Sequence, residues 1–510
     1  MKVVFRVDSS DFMGAGHVMR CLTLAEELKL KGHMIYFACL RLPGDLRNLI
    51  IKRGYKVYDL TSPPKFVPPM GPDDYPGWLQ RSVGDDARDF ISIVKKADLV
   101  ITDHYAIDGR WQNIVRLELM CMLLAIDDLA RNHDADLIVD QTYARKSHHY
   151  TGPAKVLAGT DYAMLASNFK DCREKALDKK YLSGVPRILI FLGGADELGV
   201  TLKILKCLSK DLNNNITVLL NERSSGYSDV VNLINASDNI THLKFVDDMA
   251  GLMLEHDLGI GAAGTSTWER ACVGLPSLVM TLADNQKEIS SLLEELKISI
   301  VIGRKDINKE LFSAIRILKE HWSDYFESSL RICDGRGVLR IVAEIDIICG
   351  DTSKARVSLV SATEEDIEFV YGLQTLPETR KYAHNPSVPN FVSHVKWMQS
   401  KLRDPHCKMY IIEGGVNNLQ CGVLRLDRQS SKNYLISIFL DPQLHGQGIA
   451  LSALRLADRW FPDLTLHAAV LEKNLPSQKL FQSAGYEKIS DQKYVRKPIM
   501  REHYEAVYKD

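Results

Sequence analysis

Three short runs in this 510-residue chain combine residue types and spacing that can do chemistry. In the first, DSSDFMGAGHVMR, Gly14 and Gly16 flank a turn and His17 enters the first turn of a helix. Glycines let backbone amides approach an anion, and the positive end of a helix favours phosphate or a developing negative charge. The same field disfavours imidazolium, so His17 is expected to stay neutral near pH 7 and able to accept a proton, which a general base requires. An ordinary capping turn would use the same residues without any chemistry. In the second run, GIGAAGTSTWERACVGLP (259–276), a strand leads into Gly261 and Gly264, and Thr265, Ser266 and Thr267 open a helix. Their hydroxyls and free amides suit a diphosphate, and Glu269 can accept hydrogen bonds from ribose hydroxyls; a plain N-cap would need only one of the three hydroxyls. In the third, IFLDPQLHGQGIALSALRLADRW, the residues Gln443, His445, Gly446, Gln447 and Gly448 run from a strand into a helix as QxxGxG. Consecutive amides at that helix start offer a cradle for a pyrophosphate.

The elements that must position these runs follow from hydrophobic periodicity. Apolar runs at Val3–Val7, Met34–Ala38, Leu99–Thr102, Met122–Ile126 and Leu137–Val139 alternate with helix-period segments, which reads as a parallel sheet covered by helices on both faces. After an irregular stretch from about 143 to 186 the pattern restarts at RILIFLGGAD, and ITVLLN, THLKF, LGIGAAG and PSLVM continue it, predicting a second α/β domain of the same kind. From Val357 onward, antiparallel-looking strands (MYIIEG, CGVLRLD, YLISIFL) predict a separate α+β domain. The expected boundaries are 1–150, 151–350 and 355–510. Residues 61–77 hold six of the 18 prolines, so this segment is expected to be an extended surface excursion.

Composition narrows the function classes. Lys plus Arg number 64 against 65 Asp plus Glu, so no general electrostatic pull toward nucleic acid or anionic membrane is expected. Any anion must be bound locally. Ten scattered cysteines without a CxxC pair argue against a structural zinc site and a secreted disulfide framework. Arg6 and Asp8 interrupt any signal-peptide core, and no apolar stretch reaches a membrane span of roughly 18 residues, so a reduced, cytoplasmic protein is expected, with no obligatory protein partner.

Six separated runs in order, RVDSSDFMGAGHVMRCLTLA, TDHYAID, DDLARNHDADLIVDQ, FLGGAD, GAAGTSTWERACVGLP and ADNQ, resemble the UDP-2,4-diacetamido-2,4,6-trideoxy-β-L-altropyranose hydrolase family of pseudaminic acid biosynthesis. The resemblance implies two Rossmann-like domains of glycosyltransferase-B type with a cleft between them, the nucleotide held mainly by the second. It implies that His17 activates a water that attacks the anomeric carbon, and that the glycosyl C–O bond breaks with inversion to release UDP. By motif position Gly16, Arg20, Tyr105, Asn285 and Gln286 are candidates for holding the sugar or phosphate. The plain alternatives are a solvated or paired Arg20 and a packed Tyr105 ring. UDP has a low-pKa leaving oxygen, so the departing charge needs only the amides and hydroxyls of 264–267. No metal is expected; Asp134 and Asp136 form a DxD string, but they precede a strand in the domain expected to hold little nucleotide.

The QxxGxG run, with EKNLPSQKLFQSAGYE behind it, resembles the GNAT superfamily of N-acyltransferases over about residues 355–505. That resemblance implies acetyl-CoA as cosubstrate and places Asn474 and Ser477 at cofactor-contact positions. Many members carry a tyrosine where this chain has Phe481, which leaves the acid for the departing thiolate unassigned; His445, Asp427 and Glu472 are options for the base. Together the two resemblances imply a bifunctional enzyme that acetylates the 4-amino group of a UDP-sugar and hydrolyses the product, with consecutive sites tethered on one chain. Rival readings are a B-fold glycosyltransferase that passes the sugar to another acceptor, and a non-catalytic nucleotide-sugar-binding scaffold.

Overall fold

The structure, a computed structural model, describes residues 1–499 except 72, 180, 183, 194–195, 197–198, 210–213, 282–286, 351–356, 384 and 415–418. Contacts divide the chain into two compact units, Met1–Ile345 and Asp346–Asp510.

The first unit holds two parallel sheets. Strands β1 (Lys2–Val7), β2 (Met34–Cys39), β3 (Lys56–Asp59), β4 (Leu99–Asp103), β5 (Met122–Ile126), β6 (Leu137–Asp140) and β7 (Lys155–Ala158) form the first, in the order β3-β2-β1-β4-β5-β6-β7. Because helices cover both faces, the inner strands read as near-continuous apolar runs. β1 is interrupted only by Arg6, which is fully buried and paired with Asp8 and Asp86 at 2.8 Å each. The strand order reverses between β1 and β4, which pair in parallel with Val7 opposite Asp103. In such sheets the crevice at the strands' carboxyl ends is where ligands bind. The helix Gly16–Leu30 begins at that end, and its buried face (Val18, Cys21, Leu22, Leu24, Ala25, Leu28) seats it on the sheet.

The second sheet repeats the plan with β8 (Arg187–Phe191), β9 (Asn215–Leu219), β10 (Ile240–Leu243), β11 (Leu258–Ala262), β12 (Ser277–Thr281) and β13 (Ser299–Gly303), ordered β10-β9-β8-β11-β12-β13. Here the reversal lies between β8 and β11, and β11 delivers the turn 263–265 and the helix Ser266–Cys272. The two Rossmann-like domains expected from the periodicity are present. The first sheet runs on to Ala158, so the expected boundary at residue 150 falls inside it; β7 is a short LA-ended segment, KVLA, too brief to stand out by period. The helix Gly337–Cys349 returns to this junction: Lys155 Nζ meets Glu344 at 2.6 Å and Arg340 donates to the Asp161 carbonyl at 2.8 Å.

The second unit is one mixed sheet of β14 (Val357–Ser361), β15 (Cys407–Gly414), β16 (Leu419–Ser430), β17 (Asn433–Leu440), β18 (Thr465–Ala469), β19 (Glu487–Ser490) and β20 (Lys493–Arg496), ordered β14-β15-β16-β17-β18-β20-β19. β14 to β17 pair antiparallel, as the alternating sequence pattern requires. β17 and β18 are parallel and pair only over Asn433–Leu435, after which they diverge.

Gly337 abuts the Ala163 carbonyl so closely that a Cβ has no room there. Gly337→Ala is therefore expected to cost about 2 kcal/mol, read as a lower urea midpoint at unchanged slope; an unmoved midpoint would show that this junction can relax.

Candidate functional site

The turn before His17 is open. Gly14 has φ of 71°, and among the described residues, chain neighbours and the helix's own backbone aside, no atom lies within 4 Å of where a Cβ would stand on Gly14 or Gly16. The helix has Ala15 as N-cap with no side-chain cap and no acidic residue in its first turn. Among the described residues, the amides of Gly16, His17 and Val18 have no intramolecular acceptor; the helical ladder begins with Met19, 3.0 Å from the Ala15 carbonyl. This is an uncapped helix start facing open space, as an anion site needs.

His17 is 7% exposed, and its ring is held at one corner. Nδ1 lies 2.6 Å from Oδ1 of Asp103. The same carboxylate accepts from Arg20 Nε and Nη2 at 2.6 Å each and from Cys21 Sγ at 3.5 Å. Burial alone would raise the pKa of Asp103, but the Arg20 charge, and then His17, outweigh it and hold the carboxyl well below its usual range. An ionised carboxylate can only accept, so Nδ1 carries the proton and, in the neutral ring, Nε2 carries the lone pair. Among the described residues nothing is hydrogen-bonded to Nε2. Arg20 continues to Asp128, 3.1 Å from Nη1. With Arg20 5% exposed and three of its four polar contacts on carboxylates, it sits inside the protein's own network.

Tyr105 packs its ring edge-on to His17 at 4.7 Å, with Trp78 stacked on Tyr105 at 5.5 Å and Tyr75 at 4.9 Å. Burial, and then Asp128, push the Tyr105 phenol far up, so it remains a hydroxyl. Trp78 and Tyr75 belong to the short helix Tyr75–Leu79 that closes the proline-rich segment, and Phe66 from its middle stacks on Phe12 at 5.5 Å. The excursion lies on the surface as expected, with Val67 and Met70 exposed, and the short helix that closes it supplies the aromatic wall beside His17.

Asp103 and Asp128 were not evident as site residues from motif spacing, yet a signal was present. Strand after strand in the first sheet ends in an acid paired to its own arginine: Asp8 with Arg6 at 2.8 Å, Asp103 with Arg20 at 2.6 Å, Asp127 with Arg131 at 2.9 Å and Asp140 with Arg145 at 2.6 Å. Tyr150 bridges the last two acids, its hydroxyl 3.2 Å from Asp127 and 2.8 Å from Asp140. The DxD string has other work: Arg116 grips both oxygens of Asp136 at 3.0–3.1 Å, and Asn113 donates to Asp134 at 3.0 Å. Among the described residues no cluster of three or more His, Cys, Asp or Glu side chains is arranged to hold a metal ion.

In the second sheet's site, Gly264 is open, whereas a side chain on Gly261 would collide with the Arg270 guanidinium. Gly261 thus makes room for Arg270, not for a ligand. Arg270 donates to Ser266 Oγ at 3.0 Å, to Thr267 Oγ1 at 3.2 Å and to the Ala262 carbonyl at 3.1 Å. Thr267 Oγ1 also accepts from the Gly264 amide at 3.3 Å, so this hydroxyl shapes the turn. Among the described residues the Thr265 and Ser266 amides and the Thr265 hydroxyl have no partner. Burial pushes the Glu269 carboxyl up to about 7 against the pull of Arg270. Asn285 and Gln286 lie outside the described residues.

In the second unit, Gly446 and Gly448 take φ of 80° and 77°, values that favour glycine, and among the described residues, chain neighbours aside, nothing lies within 4 Å of either Cβ position. Gln443, His445 and Gln447 are exposed on the same turn. The helix Ile449–Trp460 has no side-chain cap, and among the described residues the amides from Gly446 to Leu451 have no acceptor. Asn474 caps the helix Leu475–Ser483 by accepting from the Ser477 amide at 3.2 Å. Phe481 is a core ring packed on Tyr486 at 5.1 Å. Of the three base options, Asp427 is pinned by Lys401 at 2.9 Å and Arg425 at 2.7 Å; against the penalty of burial they hold it below its usual pKa, which makes it a poor proton acceptor. His445 and Glu472 are exposed.

Residues 356–487 match the family model described as the acetyltransferase (GNAT) domain, and residues 188–331 match the glycosyltransferase family 28 C-terminal domain. An uncharacterised protein of Methanocaldococcus jannaschii is 26% identical over 96% of this chain and 97% of its own length. The UDP-2,4-diacetamido-2,4,6-trideoxy-β-L-altropyranose hydrolase of Campylobacter jejuni is 29% identical over 41% of this chain and 66% of its own length. The spore coat polysaccharide biosynthesis protein SpsG of Bacillus subtilis is 22% identical over 49% of this chain and 76% of its own. The resemblance read from the motifs stands at the level of domains: a region similar to the hydrolase and to the glycosyltransferase family 28 C-terminal domain is followed by a GNAT acetyltransferase domain. Among the described residues no helix is long and apolar enough to cross a membrane.

Glu269 gives a signed test of the second site. A carboxyl with a folded pKa near 7 binds its proton more tightly folded than unfolded. The stability it contributes is complete below the unfolded value of about 4.3 and is lost as pH rises through about 7. The urea midpoint of the wild type relative to Glu269→Gln should therefore fall from about pH 5 to about pH 8, and a difference that does not change with pH would contradict the raised carboxyl.

Proposed function

We propose that the first unit hydrolyses UDP-2,4-diacetamido-2,4,6-trideoxy-β-L-altrose to the free sugar and UDP, and that the second transfers an acetyl group from acetyl-CoA to the 4-amino group of the UDP-sugar precursor. The observation that carries the first half is the His17–Asp103 pair at an open, uncapped turn. With Nδ1–H fixed on Asp103, Nε2 takes a proton from water as the water oxygen attacks the anomeric carbon. The C–O bond to the diphosphate breaks with inversion and its electron pair leaves on UDP. Asp103 stabilises the imidazolium that forms, as the acid does in other His–Asp pairs. Gly16 and Tyr105 border the sugar. Gly264, the free amides of Thr265 and Ser266 and the hydroxyls through Thr267 meet the diphosphate charge. Glu269 is assigned to the ribose, and Asn285 and Gln286 to the sugar or phosphate.

In the second unit the free amides from Gly446 to Leu451 fit a pyrophosphate, at the end of β17 that lies beyond its pairing with β18. Gln443, His445, Gln447, Asn474 and Ser477 line the same end of the sheet and are assigned to cofactor contact. Acetyl-CoA, when bound, supplies the activated acyl group. A thiol with pKa near 8.5 leaves without strict acid help, so Phe481 does not bar the reaction.

Incubating the UDP-sugar without any acceptor separates the readings: free sugar plus UDP supports hydrolysis, and intact donor supports a glycosyltransferase. His17→Ala should lower kcat for UDP release by about 10²- to 10⁴-fold with UDP affinity retained. Asp103→Asn should also lower it, by at least about 10²-fold, because the ring loses its fixed tautomer. UDP release from His17→Ala at the wild-type rate would refute the base assignment. In the second unit, Gly448→Val places a side chain in the cradle at a left-handed φ and should weaken CoA binding by about tenfold or more, measured by calorimetry; unchanged affinity would sink that assignment.

A further inference from the structure

Motif position suggests Arg20 as a ligand for sugar or phosphate, but its surroundings point elsewhere. Its Nε and Nη2 lie on the two oxygens of Asp103 at 2.6 Å each, its Nη1 lies on Asp128 at 3.1 Å, and Nη2 stands 3.2 Å from His17 Nδ1. We propose that Arg20 is a positioning residue that sets the proton affinity of His17 through their shared carboxylate, Asp103, and makes no contact with the substrate. The inference rests on His17 acting as the base.

The physical argument concerns what a proton arriving on His17 would meet. Asp103 Oδ1 is shared between His17 Nδ1 and Arg20 Nη2, and Oδ2 is held by Arg20 Nε and Cys21 Sγ. The carboxylate charge is therefore largely neutralised before the imidazole protonates. A fixed guanidinium in contact with the ring opposes a second positive charge in a buried site, where screening by water is weak. Arg20 thus does two things. It keeps Asp103 ionised, which fixes Nδ1–H and leaves the lone pair on Nε2. It also holds a fixed positive charge 3.2 Å from Nδ1 of the ring, which opposes a second one there. The other titratable and charged groups around the ring are Cys21 on the same helix, His104 and Tyr105 after β4, Asp128 and Arg131 after β5, and Tyr75 on the short helix. Of these, burial keeps His104 neutral and Tyr105 protonated, and Arg131 stands off behind the Tyr105 ring at 5.7 Å. Arg20 is the cation in contact with His17.

The test compares the wild type with Arg20→Gln, which keeps a donor but loses the charge, and Arg20→Lys, which keeps the charge but loses the two-pronged grip. Histidine-labelled protein gives the titration midpoint of the His17 ring by NMR, assigned by its disappearance in His17→Gln. Arg20→Gln should raise that midpoint by about one pH unit and move the acid limb of kcat/KM for UDP release up with it, while KM above the limb stays within about twofold. Arg20→Lys should titrate close to the wild type. An unmoved or lowered midpoint in Arg20→Gln overturns the proposal, as does a raised KM with an unmoved midpoint, which would mark Arg20 as a substrate ligand. Should Arg20→Gln fail to fold, Arg20→Lys decides: wild-type midpoint and KM support the proposal, and a raised KM at wild-type midpoint overturns it. The NMR midpoint needs no turnover. Absence of UDP release from the wild type would therefore count against the hydrolase reading alone, separately from the effect of Arg20 on His17.

Discussion

The first unit depends on one buried carboxylate. Asp103 sits fully buried at the end of β4, opposite Val7 of β1, and His17, Arg20 and Cys21 are arranged around it. An isolated carboxylate at that depth would be protonated, and a protonated Asp103 could no longer dictate which imidazole nitrogen carries hydrogen. Arg20 prevents that, and Arg20 in turn needs Asp128 to take up its remaining charge. Because these partners come from a helix start and from two neighbouring strand ends, the parallel sheet must be complete before the imidazole is aimed. Function and fold are coupled at this point, and a buried ion pair broken on one side costs far more than its net contribution when intact.

The same device recurs across the sheet. Acids at the carboxyl ends of the strands are each neutralised by a nearby arginine, and Tyr150 ties two of these pairs together. Such a layer holds the loops above it in one arrangement, since breaking any of these pairs would leave a buried charge. The open glycine turn at 14–16 and the uncapped helix start are the exceptions, and in the proposed hydrolysis they are where a ligand's charge is wanted. The second unit follows the same logic with backbone alone: six consecutive amides stand ready at 446–451, with two left-handed glycines shaping the turn.

Much of this was legible in the sequence. The two α/β domains and the α+β domain follow from the alternation of apolar runs with helix-period segments, and the turns at His17, Thr265 and Gly446 fall at the predicted strand-to-helix junctions. What was not legible depends on distant parts of the chain meeting. Asp103 lies 86 residues from His17, and only the pairing of β1 with β4 brings them together. Arg20 reads as a solvated or substrate-binding charge because helix spacing reveals nothing of an acid on another strand. Nor does the spacing of Gly261 reveal that it yields space to Arg270. The proline-rich segment offers no periodicity, so its aromatic residues could not be assigned to the wall beside His17.

The central claim is a tautomer: Nδ1 of His17 protonated toward an ionised Asp103, and Nε2 bare toward the substrate. Nitrogen-15 NMR of the His17 ring at neutral pH measures it directly. A protonated, pyrrole-like Nδ1 with an unprotonated, pyridine-like Nε2 is the result expected. A ring protonated at Nε2 alone, or at both nitrogens, would contradict it.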